Sequence, residues 1–150
     1  MKIYLDVCCL NRPFDDQSQD RIRLEAEAVL LILKRIQNED WIWYSSDVVV
    51  DEIEQTPDTK RRKRVLQFHA HAHEIYQLAE TDVARAKILA ELGFGTMDAL
   101  HLACAESCGV DYLLTTDDKL SQRAGRFADQ LSIAVENPLA WLMRQQESET

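Results

Sequence analysis

Glycine and proline are scarce in this chain, four and three residues out of 150, and no Ser/Gly-rich stretch separates one part from another. That scarcity leaves no visible linker, and no segment repeats at a fixed period. The length suits one well-buried core, so one domain over residues 1–150 is expected, with about 145–150 as a frayed tail. No run of about eighteen uncharged apolar residues occurs, so nothing is expected to span a bilayer. The N-terminal MKIYLDVCCL lacks a long apolar region followed by a small-residue cleavage site, and Asp6 interrupts the one candidate stretch. A cytoplasmic protein is therefore expected. A C-x-x-C pair is missing too: Cys8 and Cys9 are adjacent, and Cys104 and Cys108 are one helical turn apart. Four reduced, buried thiols fit that spacing better than a zinc site does.

Basic residues are also in deficit, 17 Lys and Arg against 26 Asp and Glu, for a net charge of -9. That sign argues against a protein that coats nucleic acid non-specifically. It leaves a nuclease open, because clustered carboxylates add negative charge that a bound divalent cation reverses locally.

What is present is an alternation of strand and helix patterns. Lys2 to Val7 carries the apolar run IYL and reads as a buried first strand, followed by a loop with Asn11, Arg12 and Pro13. Gln19 to Asn38 repeats apolar residues at helical spacing. Trp41 to Tyr44 reads as a strand, and Ser45, Ser46 and Asp47 offer N-cap chemistry to the helix VVVDEIEQ. Thr59 to Ala72 is expected as a helix and EIYQLA as a short strand. Another helix is expected from about Asp82 to Leu92, ending at Gly93. Gly95 and Thr96 open MDALHLACAESC, a helix almost without charge that should be buried on most sides. Asp111 to Thr116, Ser121 to Ala128 and Ser132 to Val135 read as strand, helix and strand. This α/β alternation favours a parallel sheet covered by helices on both faces.

In such a sheet, functional groups gather at the carboxyl ends of the strands. Four acidic residues fit: Asp6 after the first strand, Glu52 in the helix after the second, Asp98 in the first turn of the apolar helix, and Asp117 after DYLLTT. Each has a plainer reading alone. Asp98 suits a helix dipole, Asp117 or Asp118 suits a helix cap, and Glu52 lies at the edge of its helix's core face. Asp6 directly after IYL should be half-buried, which is costly without a partner. Together, four carboxylates at one rim repel unless a cation lies between them, and oxygen ligands favour Mg²⁺ or Mn²⁺.

The ordered segments YLDVCCLNR, SSDVVVDEI, GTMDALHLACA and DYLLTTDDKL resemble the successive motifs of PIN domains, and in particular of the VapC-like toxins of bacterial toxin-antitoxin pairs. The resemblance spans Ile3 to about Val135. It implies a three-layer α/β/α, Rossmann-like fold with a central, mostly parallel sheet. It also implies a Mg²⁺- or Mn²⁺-dependent endoribonuclease, with Asp6, Glu52, Asp98 and Asp117 as catalytic metal ligands, RNA as substrate, a small antitoxin as partner and a homodimer as assembly. Thr116, Asp118 and Asn11 are secondary candidates. Where many PIN domains follow the first Asp with Thr, Ser or Asn, this chain has Val7, Cys8 and Cys9, which keeps open a catalytically weak PIN-like module that binds RNA or protein. A phosphatase of the haloacid-dehalogenase type would want an Asp where Cys8 stands.

Lys60, Arg61, Arg62, Lys63 and Arg64 form the one strong basic run, either a solvated helix face or an RNA-backbone contact. His69 and His73 share a helical face but lack an acidic neighbour at ligand spacing. His101 reads as a packed core histidine, with a role as catalytic base secondary. Trp41, Trp43 and Trp141 are expected to build the core rather than stack on bases.

Overall fold

The IYL run of β1 (Lys2–Leu5) is wholly buried, as a strand with neighbours on both sides and helices on both faces must be. A computed structural model, describing residues 1–149, shows why. β1 is the middle strand of five, between β2 (Ile42–Ser46) and β4 (Tyr112–Leu114), with β3 (Glu74–Tyr76) and β5 (Ala134–Glu136) at the edges. All four pairings are parallel. The order β3-β2-β1-β4-β5 means that the chain leaves β1 in one direction and returns to its other side at β4. The cleft at such a reversal is where parallel sheets place their ligands.

Eight helices among the described residues complete a three-layer α/β/α fold: α1 (Val7–Asn11), α2 (Asp20–Gln37), α3 (Asp47–Glu54), α4 (Thr59–His69), α5 (Glu80–Glu91), α6 (Thr96–Cys108), α7 (Asp118–Arg126) and α8 (Pro138–Glu149). Helix α6 buries Ala99, His101, Leu102, Ala103, Cys104 and Ala105, as its lack of charge requires, and Gly109 closes it in the left-handed region at φ 69°. Among the described residues, no helix is long and apolar enough to cross a membrane. The tryptophans are core residues: Trp41 meets Trp141 edge-on at 4.7 Å, and Trp43 is fully buried. All four thiols are free, and burial pushes Cys104 up to about 12 and Cys108 up to about 11.

Four boundaries differ from the sequence expectation. The segment after Asp6 is not a loop: Val7, Cys9 and Leu10 are buried as the one-turn helix α1, and Arg12–Phe14 continue as a 3-10 turn. Helix α4 stops at His69 instead of Ala72. His73 accepts from the Trp43 backbone N–H through Nδ1 at 3.0 Å, and His69 Nε2 lies 2.7 Å from Ser45 Oγ. Both histidines therefore brace β2. Helix α7 begins three residues early because Asp117 caps it. Finally, the residues from Pro138 onward form α8. Pro138 sits at a first helical position, where a missing N–H costs nothing, Asn137 Oδ1 accepts from Leu139 N and Ala140 N at 2.8 and 3.2 Å, and Trp141 and Leu142 are buried. An Arg35–Glu149 ion pair at 2.5 Å joins its end to α2, and the helix runs to Glu149. Thr150 lies outside the described residues.

Candidate metal centre

Leu5 and Leu114 are register partners, so Asp6 and Thr115 emerge side by side from the carboxyl ends of β1 and β4. The Asp6 N–H bonds Leu114 O at 3.0 Å and fixes that alignment. Asp6 is only 7% exposed, and a buried carboxylate needs partners. Its Oδ1 caps α1 by accepting from Val7 N at 2.8 Å. Its Oδ2 accepts from Thr115 Oγ1 at 2.9 Å and, more weakly, from Cys8 Sγ at 3.4 Å. The thiol also meets Thr115 Oγ1 at 3.3 Å. Cys8 thus adds a weak side-chain contact to Asp6 at the position where a Ser, Thr or Asn is expected.

Glu52 projects from α3, whose Ser46 cap ends β2. Its Oε1 lies 2.8 Å from His101 Nε2. His101 Nδ1 in turn lies 2.7 Å from the Tyr4 hydroxyl, which is 2.7 Å from Ser46 Oγ. His101 Nε2 is 4.0 Å from Asp6 Oδ1. Ligand atoms of Asp6, Glu52 and His101 lie within 4.8 Å of one another, a spacing that one cation can span. Burial pulls the His101 imidazole down, but the Glu52 hydrogen bond and the charges of Asp6, Glu52 and Asp98 outweigh it and hold it above its ordinary value.

Asp98 occupies the first turn of α6, one helical turn before His101. Its carboxylate takes part in no hydrogen bond among the described residues. The helix dipole alone would favour its charged form. Burial, then the charges of Asp6 and Asp117, instead push it up from 3.8 to about 6, with Glu52 adding to the effect and His101 opposing it. Asp98 therefore shares one electrostatic neighbourhood with the other three carboxylates. Asp117 stands at the rim and is exposed. Its Oδ1 caps α7 by accepting from Lys119 N and Leu120 N at 3.0 and 3.3 Å. Asp98 and Asp117 line one cavity of about 210 Å³ with Lys119 and Arg123.

The remaining candidates lie elsewhere. Asp118 turns outward into a two-pronged pair with Arg21, at 2.6 Å for each prong. Asn11 bonds Val7 O at 3.2 Å and does not reach Asp6. Thr116 is buried, but the hydroxyl that touches Asp6 belongs to Thr115, because the chain leaves β4 with Thr115 facing β1. In the basic run, Arg61 binds Asp15 and Phe14 O, and Arg62 binds Thr56 O. Lys60, Lys63 and Arg64 are exposed.

Sequence reasoning passed over Thr115, Cys8, Tyr4 and the reach of His101. The i, i+3 spacing of Asp98 and His101, which puts both on one helix face, was the available signal for the last. It also passed over the buried Glu25 of α2, which binds Arg12 at 2.9 Å, Arg21 at 3.3 Å and Asn137 at 2.6 Å.

A parallel sheet with acids gathered at its chain reversal defines a class of α/β proteins that hold ligands at that edge. The PIN domain model matches residues 3–126, and the chain belongs to the PIN domain family. Its fold resembles that of a chain in the crystal structure of VapBC2 from Rickettsia felis bound to a DNA fragment from their promoter. The TM-score is 0.54 at 16% identity, over 91% of this chain and 98% of that one. No curated protein matches the chain in sequence.

Proposed function

We propose that this protein is an endoribonuclease dependent on Mg²⁺ or Mn²⁺, the VapC-like toxin of a type II toxin-antitoxin pair. The observation that carries the reading is the meeting of Asp6 and Glu52, whose ligand atoms lie within 4.8 Å of each other and of His101, beside an Asp98 whose carboxyl is pushed up to about 6 by burial and by the charges of Asp6 and Asp117. Such a site is electrostatically unfavourable as it stands, and a divalent cation among the carboxylates reverses that. Members of the PIN family are generally nucleases, which agrees with this chemistry.

The residues fit such an ion. Asp6, Glu52 and Asp98 would hold it, with Asp117 at the rim, and a donor set dominated by carboxylate oxygen suits Mg²⁺ or Mn²⁺ better than zinc. When bound, the ion supplies a polarised water and charge stabilisation at the phosphoryl group. The chain's own contribution is orientation and electrostatics. Val7 N, Thr115 and Cys8 hold Asp6 in one rotamer. Lys119 and Arg123, beside Asp98 and Asp117, offer positive charge to an RNA phosphate in the shared cavity. Lys60, Lys63 and Arg64 are further candidates for backbone contact. The same reading carries a small antitoxin partner, a homodimer and a cytoplasmic location.

The test is RNA cleavage by the wild type with Mn²⁺ and with EDTA, beside Asp6→Asn and Asp98→Asn. Cleavage that needs the metal and both acids is expected. Cleavage in EDTA overturns the metal dependence. A wild type as inert as the variants, yet still binding RNA or protein, favours a binding module instead.

A further inference from the structure

We infer that His101 is a positioning residue: through Nε2–H it holds Glu52 in place for the cation instead of ligating the cation itself. This rests on Asp6 and Glu52 holding a divalent cation. Distance alone makes His101 look like a third ligand, since it lies within 4.8 Å of both acids. Hydrogen-bond accounting assigns it the other role. A carboxylate only accepts, so the 2.8 Å contact to Glu52 Oε1 requires the proton on Nε2. A nitrogen that carries a proton has no lone pair for a metal.

The other side of the ring agrees. Nδ1 is 2.7 Å from the Tyr4 hydroxyl, itself 2.7 Å from Ser46 Oγ. Both hydroxyls are buried, and Ser46 also accepts from Val49 N at 3.3 Å. With Ser46 donating to Tyr4 and Tyr4 donating to Nδ1, every polar atom in the row is satisfied and the remaining ring proton falls on Nε2. Burial of the ring and its edge-on contact with Tyr4, at 5.8 Å between centroids, lock its orientation. Glu52 needs such a hook, because its side chain is 33% exposed and comes from a helix edge. The row therefore ties α3, β1 and α6 to one carboxylate oxygen, leaving Glu52 Oε2 for the ion. Partners of this kind typically matter by about 10–100-fold in metal affinity.

The test compares wild type, His101→Leu, His101→Gln and Tyr4→Phe. It reads Mn²⁺ affinity by electron paramagnetic resonance titration, nitrogen coupling to bound Mn²⁺ by electron spin echo, and folding by circular dichroism. Wild-type Mn²⁺ is expected to show no directly bonded imidazole nitrogen. His101→Leu is expected to fold and lose about 10–100-fold in affinity. His101→Gln, whose amide N–H can reach Glu52, should recover most of that loss. Tyr4→Phe, which frees the ring but keeps its packing, should fall between wild type and His101→Leu. Nitrogen coupling of a bound imidazole in the wild type overturns the inference, as does unchanged Mn²⁺ affinity in a folded His101→Leu protein. A wild type that binds no Mn²⁺ at all overturns the cation reading and this inference with it. Should His101→Leu fail to fold, Tyr4→Phe with wild-type affinity overturns the inference on its own.

Discussion

Replacing Asp98 with Asn should make the metal-free protein more stable while weakening its metal binding. The Asp98 carboxyl moves from 3.8 to about 6 on folding. At about 1.4 kcal/mol per tenfold change in proton affinity, that is about 3 kcal/mol of penalty on the charged form. Asp98 is only partly buried, and solvent screening reduces the figure to about 1–2 kcal/mol. The sign follows from proton uptake: the folded state binds the proton more tightly, so wild-type stability falls as pH rises from about 4 to about 6 and stays reduced above. Asparagine does not titrate. The variant's advantage should be near zero at pH 4 and complete by pH 7, when it raises the melting temperature by about 2–8 °C. Saturating Mn²⁺ should reverse the order, because the ion stabilises the wild type by mass action and the variant much less. Thermal melts in EDTA and in Mn²⁺ between pH 4 and 8 measure both effects. An Asn variant no more stable than wild type at pH 8 in EDTA, or one whose advantage is already full at pH 4, refutes the electrostatic reasoning.

Other substitutions separate the site from its surroundings. Glu25→Ala should cost about 2–4 kcal/mol in urea denaturation, because it strands Arg12, Arg21 and Asn137 around a buried position. Asp118→Ala breaks an exposed pair with Arg21 and should leave both the melting temperature and Mn²⁺-dependent RNA cleavage near wild type, whereas Asp117→Ala should lower both. Cys8→Ala removes one of three groups that orient Asp6 and should slow cleavage by less than about tenfold, with Cys8→Ser restoring it.

Strand and helix alternation made the α/β architecture legible because burial on both faces writes itself as runs such as IYL and DYLLTT, and the acids stand directly after them. Asp6 and Asp98 were readable for that reason. Contacts between segments far apart in sequence were not. Whether Thr115 or Thr116 faces Asp6 depends on how β4 pairs with β1, a register that neither strand carries alone. His101 looked like a core residue because its helix is apolar, and it is indeed buried; its partner Glu52 lies 49 positions away. Helix α1 was hidden by Asn11 and Pro13, which read as loop residues, although Val7 to Leu10 are apolar and Asp6 caps them. The basic run is visible in sequence, yet Arg61 and Arg62 are taken up by the turn around Phe14 and by Thr56.

Crystals soaked in Mn²⁺ and measured at the manganese absorption edge address the central claim most directly. The account predicts an anomalous peak about 2.0–2.2 Å from carboxylate oxygens of Asp6 and Glu52, with His101 Nε2 still bonded to Glu52. A peak remote from these acids, or none at saturating Mn²⁺, contradicts it.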